Sequence, residues 1–175
     1  MLYQKEYKTP IGPMVGIAST DKLLLLEFKS RKELDEELLE LKKKYEVESI
    51  DNSNQLLDSL ESELMEYFNG KRQKFNTPIE LDGTEFQIKV WSELLLVPYG
   101  ETRTYLDQAR SLGDEKAIRA MASANGKNRL AIIVPCHRII GSDGSLTGYA
   151  GGIEKKRFLL NLEREVAGPR DLFSK

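Results

Sequence analysis

Thiol and imidazole are among the scarcest chemistry in this chain, whose 175 residues include one cysteine and one histidine. A single cysteine excludes an internal disulfide, and the two residues are too few for a Cys/His zinc cluster, so no structural metal is expected. A lone thiol points to a reducing compartment, which makes the cytoplasm the expected address. Long apolar runs are missing too: stretches such as 23–26 and 130–135 fall far below the ~18 residues of a membrane-crossing helix. The first residues, Met1-Leu2-Tyr3-Gln4-Lys5-Glu6, lack a basic stretch followed by an apolar one, so no signal peptide is expected. Nor is there a bulk excess of charge. The net charge of −2 argues against a protein that coats nucleic acid by simple attraction.

What is present fits one ordinary domain or two small ones with a real core, at 40% hydrophobic and 31% charged residues. The charge is unevenly placed. Residues 86–163 hold eleven basic and eight acidic side chains, a local net of +3, while the remainder carries −5. A mildly basic C-terminal half is compatible with DNA binding without establishing it.

Residues 1–82 read as an N-terminal α+β scaffold, 83–167 as a mainly helical C-terminal domain, and 168–175 as a tail. Met14-Val15-Gly16-Ile17-Ala18 and Leu23-Leu24-Leu25-Leu26-Glu27-Phe28 are strand-like and joined by a short turn. Ser30 with Glu33 predicts a capping box opening a helix that turns Leu34, Leu38, Leu41 and Tyr45 to one side. A second helix is expected over 54–68, with Gly70 past its C-terminus. Thr84 with Gln87 predicts another capping box, leading a helix through Val90, Trp91, Leu94 and Leu95, with Trp91 in the core. Two short helices, 104–112 and 115–124, flank Gly113 and outline a helix-turn-helix, a pattern shared by any small helical hairpin. Leu130-Ala131-Ile132-Ile133-Val134 predicts a buried strand ended by Pro135. A final helix is expected over 154–165, with Phe158, Leu159 and Leu162 inward.

The only cysteine and the only histidine are neighbours, Cys136 and His137. A thiolate is the strongest ordinary side-chain nucleophile, and a near-neutral imidazole is the natural acceptor for its proton. Arg138 adds positive charge expected to favour the thiolate. The dipeptide alone also fits a buried inert cysteine beside a solvent-facing histidine, and sulfur and imidazole can meet directly or through a water.

The surrounding sequence narrows this. Ile133-Val134-Pro135-Cys136-His137-Arg138-Ile139-Ile140-Gly141 resembles the active-site signature of the O6-alkylguanine-DNA alkyltransferases. Gly83-Thr84-Glu85-Phe86-Gln87, Val90-Trp91, Pro98-Tyr99-Gly100-Glu101-Thr102, Ala124-Asn125-Gly126 and Leu146-Thr147-Gly148-Tyr149-Ala150-Gly151-Gly152 resemble that family as well, in its order and spacing. The likeness covers about 81–163. It differs at Asn128-Arg129, where Asn-Pro is common, at Met121-Ala122-Ser123, where Val-Gly is frequent, and at Ile139, where valine is usual.

The resemblance implies an α+β protein with an RNase H-like N-terminal domain and a winged helix-turn-helix-like C-terminal domain. It implies direct, irreversible, single-turnover transfer of an alkyl group from O6-alkylguanine in duplex DNA to Cys136, after the base is flipped out of the stack. The resemblance leaves open whether O4-alkylthymine is a second substrate. His137 is then the base that deprotonates Cys136 through a water, and Glu163 the carboxylate that orients His137. Tyr105 crowds the phosphate of the flipped nucleotide and donates toward guanine N3. Arg119 fills the vacated stack, from a helix whose small Ala120 and Ser123 allow close approach to the minor groove. Asn128 ties the helix-turn-helix to the active-site segment. Ile139, Tyr149 and Ala150 line the guanine pocket, with the carbonyls of Cys136 and Ile139 accepting from the exocyclic amine. No cofactor is implied, because DNA supplies the alkyl group; the implied partner is duplex DNA containing O6-alkylguanine, with no obligate protein partner, and the protein is expected to be a monomer. Two other readings stay open at this point: a non-catalytic protein that binds alkylated DNA without transfer, and a Cys-His hydrolase.

Overall fold

The computed structural model describes residues 1–169, so the part of the expected tail beyond Pro169 lies outside the described residues. Strands β1 (Tyr3–Tyr7), β2 (Met14–Ala18) and β3 (Leu23–Phe28) form an antiparallel meander in that order, with Tyr3 opposite Ala18 and Met14 opposite Phe28. Every residue of β2 and β3 is buried, because both faces of the sheet are covered. Val15, Ile17, Leu24 and Leu25 pack with Leu34 and Leu41 of α1 (Leu34–Lys44). Met14, Leu23, Leu26 and Phe28 belong to a larger core with Leu57, Leu60 and Leu64 of α2 (Gln55–Phe68). Two covered faces explain why these strands read as continuous apolar runs rather than alternating ones.

The larger core is not confined to the N-terminal half. It continues into Val90, Trp91 and Leu94 of α3 (Glu85–Leu94) and on to Met121, Ala124, Val134 and Ile139. The Thr84/Gln87 capping box at the start of α3 is present on both sides, and Trp91 sits in the core donating to Ala124 O at 2.8 Å. Helices α4 (Tyr105–Ser111) and α5 (Ile118–Gly126) form the helix-turn-helix, with a turn of 3-10 helix at Glu115–Ala117 and Gly113 at φ 78° between them. Buried Gln108 and Asn125 exchange two amide hydrogen bonds of 2.9 Å and lock the two helices together. Strand β4 (Arg103–Thr104) pairs in parallel with β5 (Ile139–Ile140), and α6 (Ile153–Ala167) closes the molecule.

Three expectations need correction. The Ser30/Glu33 capping box does not form: Glu33 adopts a helical backbone with no capping bond, and its carboxylate instead stands 3.6 Å from the inward-turned Arg31. The segment 130–134 is not a strand. Leu130 makes a single bridge to Leu26, after which the chain turns at once, with Ile132 in the left-handed region at φ 73° and Val134 N–H returning to Leu130 O. Apolar composition reported the burial correctly and could not distinguish a buried strand from a buried turn. On α6, Leu159 is buried as expected, but Phe158 is 37% exposed and its place facing inward is taken by Leu160 and Lys156.

Candidate active site

Pro135 precedes a single 3-10 turn, Cys136–Arg138, that presents the cysteine. This tight turn aims Cys136 and His137 in different directions. Cys136 is half-buried, and its Sγ accepts from Asn128 Nδ2 at 3.3 Å. His137 is fully buried and directs Nε2 to Glu163 Oε1 at 2.8 Å, while Nδ1 has no hydrogen-bond partner among the described residues.

Glu163 reaches this histidine from α6, 26 residues along the chain. It also accepts from Arg138 Nε (2.8 Å) and Nη2 (2.9 Å), from Tyr67 Oη (2.7 Å) and from the Gly100 N–H (3.3 Å). Burial alone would raise its pKa, but His137 and Arg138 overcome that and hold the carboxyl well below the usual range. An ionised carboxylate accepts only, so Nε2 carries the imidazole proton and Nδ1 keeps its lone pair. Burial outweighs Glu163 at His137 and lowers the imidazole pKa, which keeps the ring neutral. Gly100 is required here: a Cβ would stand 2.6 Å from Ala167 Cβ, and its φ is 75°.

Arg138 does not serve Cys136 as expected. Its guanidinium is consumed by Glu163 and by Val97 O at 2.7 Å, because the 3-10 turn points it to the opposite side of the segment. Burial pushes the Cys136 thiol up, and the groups opposing that are the Asn128 amide, Lys156 and Arg31.

Asn128 is buried and joins three pieces. Its amide donates to Val134 O (2.8 Å) and to Cys136 Sγ, and its Oδ1 accepts from the Leu130 N–H (2.9 Å). Half-buried Tyr105 donates to Thr147 O at 3.0 Å, so in this structure its hydroxyl is tied to the loop between β5 and α6. On that loop Tyr149 is half-buried with its Oη enclosed and unpartnered, and Ala150 is exposed. Gly151 allows the closure, since a Cβ would meet Phe28 and Tyr149 at 2.9 Å. The two carbonyls assigned to guanine are already engaged once each: Cys136 O by the Ile139 N–H and Ile139 O by Lys156 Nζ. Each keeps a second lone pair.

Arg119, Ala120 and Ser123 form an exposed face of α5, opposite the buried Met121, Ala124 and Asn125. No ion pair or side-chain hydrogen bond engages Arg119 among the described residues.

Sequence reasoning missed Lys156 and Tyr67. Lys156 sits in Lys155-Lys156-Arg157, which reads as a solvated run, yet it is 1% exposed, bonds Ile139 O and Thr147 O, and stands 5.9 Å over the Tyr105 ring. Tyr67 lies three residues after Leu64 and seven after Leu60, a spacing that marks it as buried but not as a partner of Glu163.

Fold and site define a class: a two-part protein whose helix-turn-helix half carries a cysteine beside a carboxylate-tethered histidine. Residues 85–165 match the model of the 6-O-methylguanine DNA methyltransferase DNA-binding domain, and residues 2–81 match that of the family's ribonuclease-like domain. The chain belongs to the 6-O-methylguanine DNA methyltransferase family. It is 40% identical to the methylated-DNA--protein-cysteine methyltransferase of Methanosarcina acetivorans over 93% of this chain and 98% of that one. It is also 40% identical to the constitutive enzyme of that name from Bacillus subtilis, over 94% and 96%. The crystal structure of Mycobacterium tuberculosis O6-methylguanine methyltransferase superposes with a TM-score of 0.82 at 38% identity, covering 98% of both chains. The structure of M. tuberculosis OGT in complex with DNA gives 0.82 at 37% identity, covering 97% of both.

Proposed function

We infer that this protein repairs duplex DNA by moving the alkyl group of O6-alkylguanine onto Cys136, once per molecule. The observation that carries the chemistry is the division of labour on His137: Nε2 is tied to an ionised Glu163 while Nδ1 holds a free lone pair. A water between Nδ1 and Sγ passes the thiol proton to the imidazole. The charge that develops there is stabilised by Glu163, as in other acid–base relays with a fixed third group. The thiolate receives the Asn128 hydrogen bond and attacks the alkyl carbon; the S–C bond forms as the C–O6 bond breaks. The purine leaves as an anion and takes a proton, so the net change is thiol plus alkylguanine to thioether plus guanine. That balance calls for no cofactor. The thioether is stable, which makes the protein a single-use reagent.

Tyr105 acts in this reading when its hydroxyl leaves Thr147 O for guanine N3 or the neighbouring phosphate. The exposed Arg119, Ala120 and Ser123 face enters the minor groove, with Arg119 replacing the flipped base. Tyr149, Ala150 and Ile139 bound the guanine pocket. The protein acts as a monomer on DNA. No helix among the described residues is long and apolar enough to cross a membrane, and the cytoplasm is the compartment that keeps the acceptor thiol reduced.

The test is stoichiometric. Mixed with excess duplex containing one O6-methylguanine, the protein is expected to restore guanine until one equivalent is consumed and then stop, while Cys136→Ser restores none. Restoration beyond one equivalent would indicate turnover. Lesion-selective binding with no restoration would favour a non-catalytic sensor. Either result contradicts the reading.

A further inference from the structure

Arg31 lies outside every motif that carries the chemistry, in the turn after β3, and its side chain is 3% exposed. Its guanidinium faces two ways. Toward the N-terminal half, Nη1 donates to Glu27 Oε1 at 2.5 Å and Nη2 stands 3.1 Å from Glu37 Oε1. Toward the C-terminal half, Nη1 donates to Asn128 O at 3.0 Å and Nη2 to Gly126 O at 3.1 Å. Gly126 is the last residue of α5, where a cation offsets the helix dipole. Asn128 is the residue whose amide meets the acceptor sulfur.

Asn128 has little freedom to absorb a backbone shift. Both its amide hydrogens and its carbonyl oxygen are committed, to Val134, Cys136 and Leu130. Displacement of its main chain is therefore passed to the sulfur. Arg129 next to it pairs outward with Glu40 and Glu37, and does not share the burden of holding those carbonyls. A planar fork that binds two carbonyls and two carboxylates at once is a property of arginine and not of lysine. Stability alone explains such a cluster poorly, because buried ion pairs contribute little over well-packed apolar groups.

We propose that Arg31 is a positioning residue for alkyl transfer: by fixing the backbone at 126–128 it seats the DNA-binding helix α5 and holds the Asn128 amide on the Cys136 sulfur. This rests on the transfer reading above, and it gives the ribonuclease-like half a part in setting the reactivity of the acceptor.

The experiment follows the rate at which iodoacetamide alkylates Cys136 as a function of pH, in wild type, Arg31→Met, Arg31→Lys, Asn128→Ala and the double variants. The thiolate displaces iodide in this reaction, so the alkaline limb reports the stabilisation of the thiolate without DNA. Arg31→Met is expected to slow the reaction at pH 7 by about five- to tenfold and move the limb to higher pH, the scale of one lost hydrogen bond to a charged group. Asn128→Ala should do the same, and the double variant should lose clearly less than the sum of the two single losses, the remainder being the direct field of the Arg31 charge at the sulfur. Arg31→Lys keeps a charge opposite Glu27 and should fold while recovering less than half of the lost rate. A wild-type rate in folded Arg31→Met, additive losses in the double variant, or full recovery with lysine would each overturn the proposal. If Arg31→Met fails to fold, the cycle between Arg31→Lys and Asn128→Ala applies the same criterion. Wild-type protein that shows the expected iodoacetamide pattern but takes no methyl group from DNA would overturn the transfer reading and with it a role in alkyl transfer, whereas transfer without that pattern would overturn the role of Arg31 alone.

Discussion

At the scale of single residues, the chemistry turns on Glu163. One buried carboxylate accepts from His137, Arg138, Tyr67 and Gly100, and so fixes the tautomer of the base and joins four segments of chain. Glu163→Gln keeps the shape but loses the charge that the imidazolium needs. The single-turnover rate is expected to fall by about 10²–10⁴. The same group sets the acid limit of stability. The pKa values of Glu163 and His137 are both lowered on folding, so the unfolded chain binds more protons as pH falls below the ordinary values of 6.5 for histidine and 4.5 for glutamate. Below about pH 4.5 the protonation of Glu163 should therefore lower the melting temperature, and Glu163→Gln should flatten that limb. Between about pH 8 and 4.5 buried Glu27, its pKa pushed up to about 8 by burial, works in the opposite sense. A limb below pH 4.5 that is as steep in Glu163→Gln as in wild type would contradict this. Cys136 and His137 were legible in the sequence because each is the only one of its kind. Glu163 was legible only through family likeness, since 26 intervening residues hide the contact. Lys156, Tyr67 and Arg31 were not legible, because their partners lie far away in sequence and their chemical types ordinarily mark solvent or generic core.

At the scale of elements, α5 carries opposite demands on its two sides. Its inner side is held by the Gln108–Asn125 amide pair and by Trp91 on Ala124 O. Gln108→Ala leaves the Asn125 amide buried without a partner and should cost about 1–3 kcal/mol in denaturant unfolding. Its outer side presents Arg119, and Arg119→Ala should change stability by less than about 0.5 kcal/mol. That variant should still slow repair of duplex substrate by tenfold or more, because nothing then fills the vacated stack. Equal rates with duplex DNA in wild type and variant would remove Arg119 from the mechanism. The elements differ in how well the sequence announced them. β2, β3 and α3 were legible because burial, turn residues and a capping box agreed. β1 was not, since its alternating Tyr3-Gln4-Lys5-Glu6-Tyr7 carries little apolar signal. The 130–134 turn and the start of α1 were misread because tertiary bonds, from Leu26 in one case and around Arg31 in the other, overrode the local pattern.

At the scale of the molecule, the two halves share one core, and polar bonds cross between them at Arg31 and Tyr67. Tyr67→Phe removes a donor that the ribonuclease-like half supplies to Glu163. It should cost about 1–3 kcal/mol and slow transfer, a loss that a passive scaffold would not produce. Shared packing also predicts the fate of the product. Alkylation converts the sulfur that accepts from Asn128 into a bulkier neutral thioether, so the alkylated protein should melt below the free one. Unchanged melting after complete alkylation would contradict this. The modest positive charge of residues 86–163 limits the number of phosphate contacts, so affinity for DNA should fall only gently with salt.

The most direct test of the central claim is intact-protein mass spectrometry with peptide mapping, after mixing with a duplex that carries one O6-methylguanine. A gain of about 14 Da per molecule is expected, located at Cys136 and saturating at one. No gain, or a methyl group on any other residue, would contradict it.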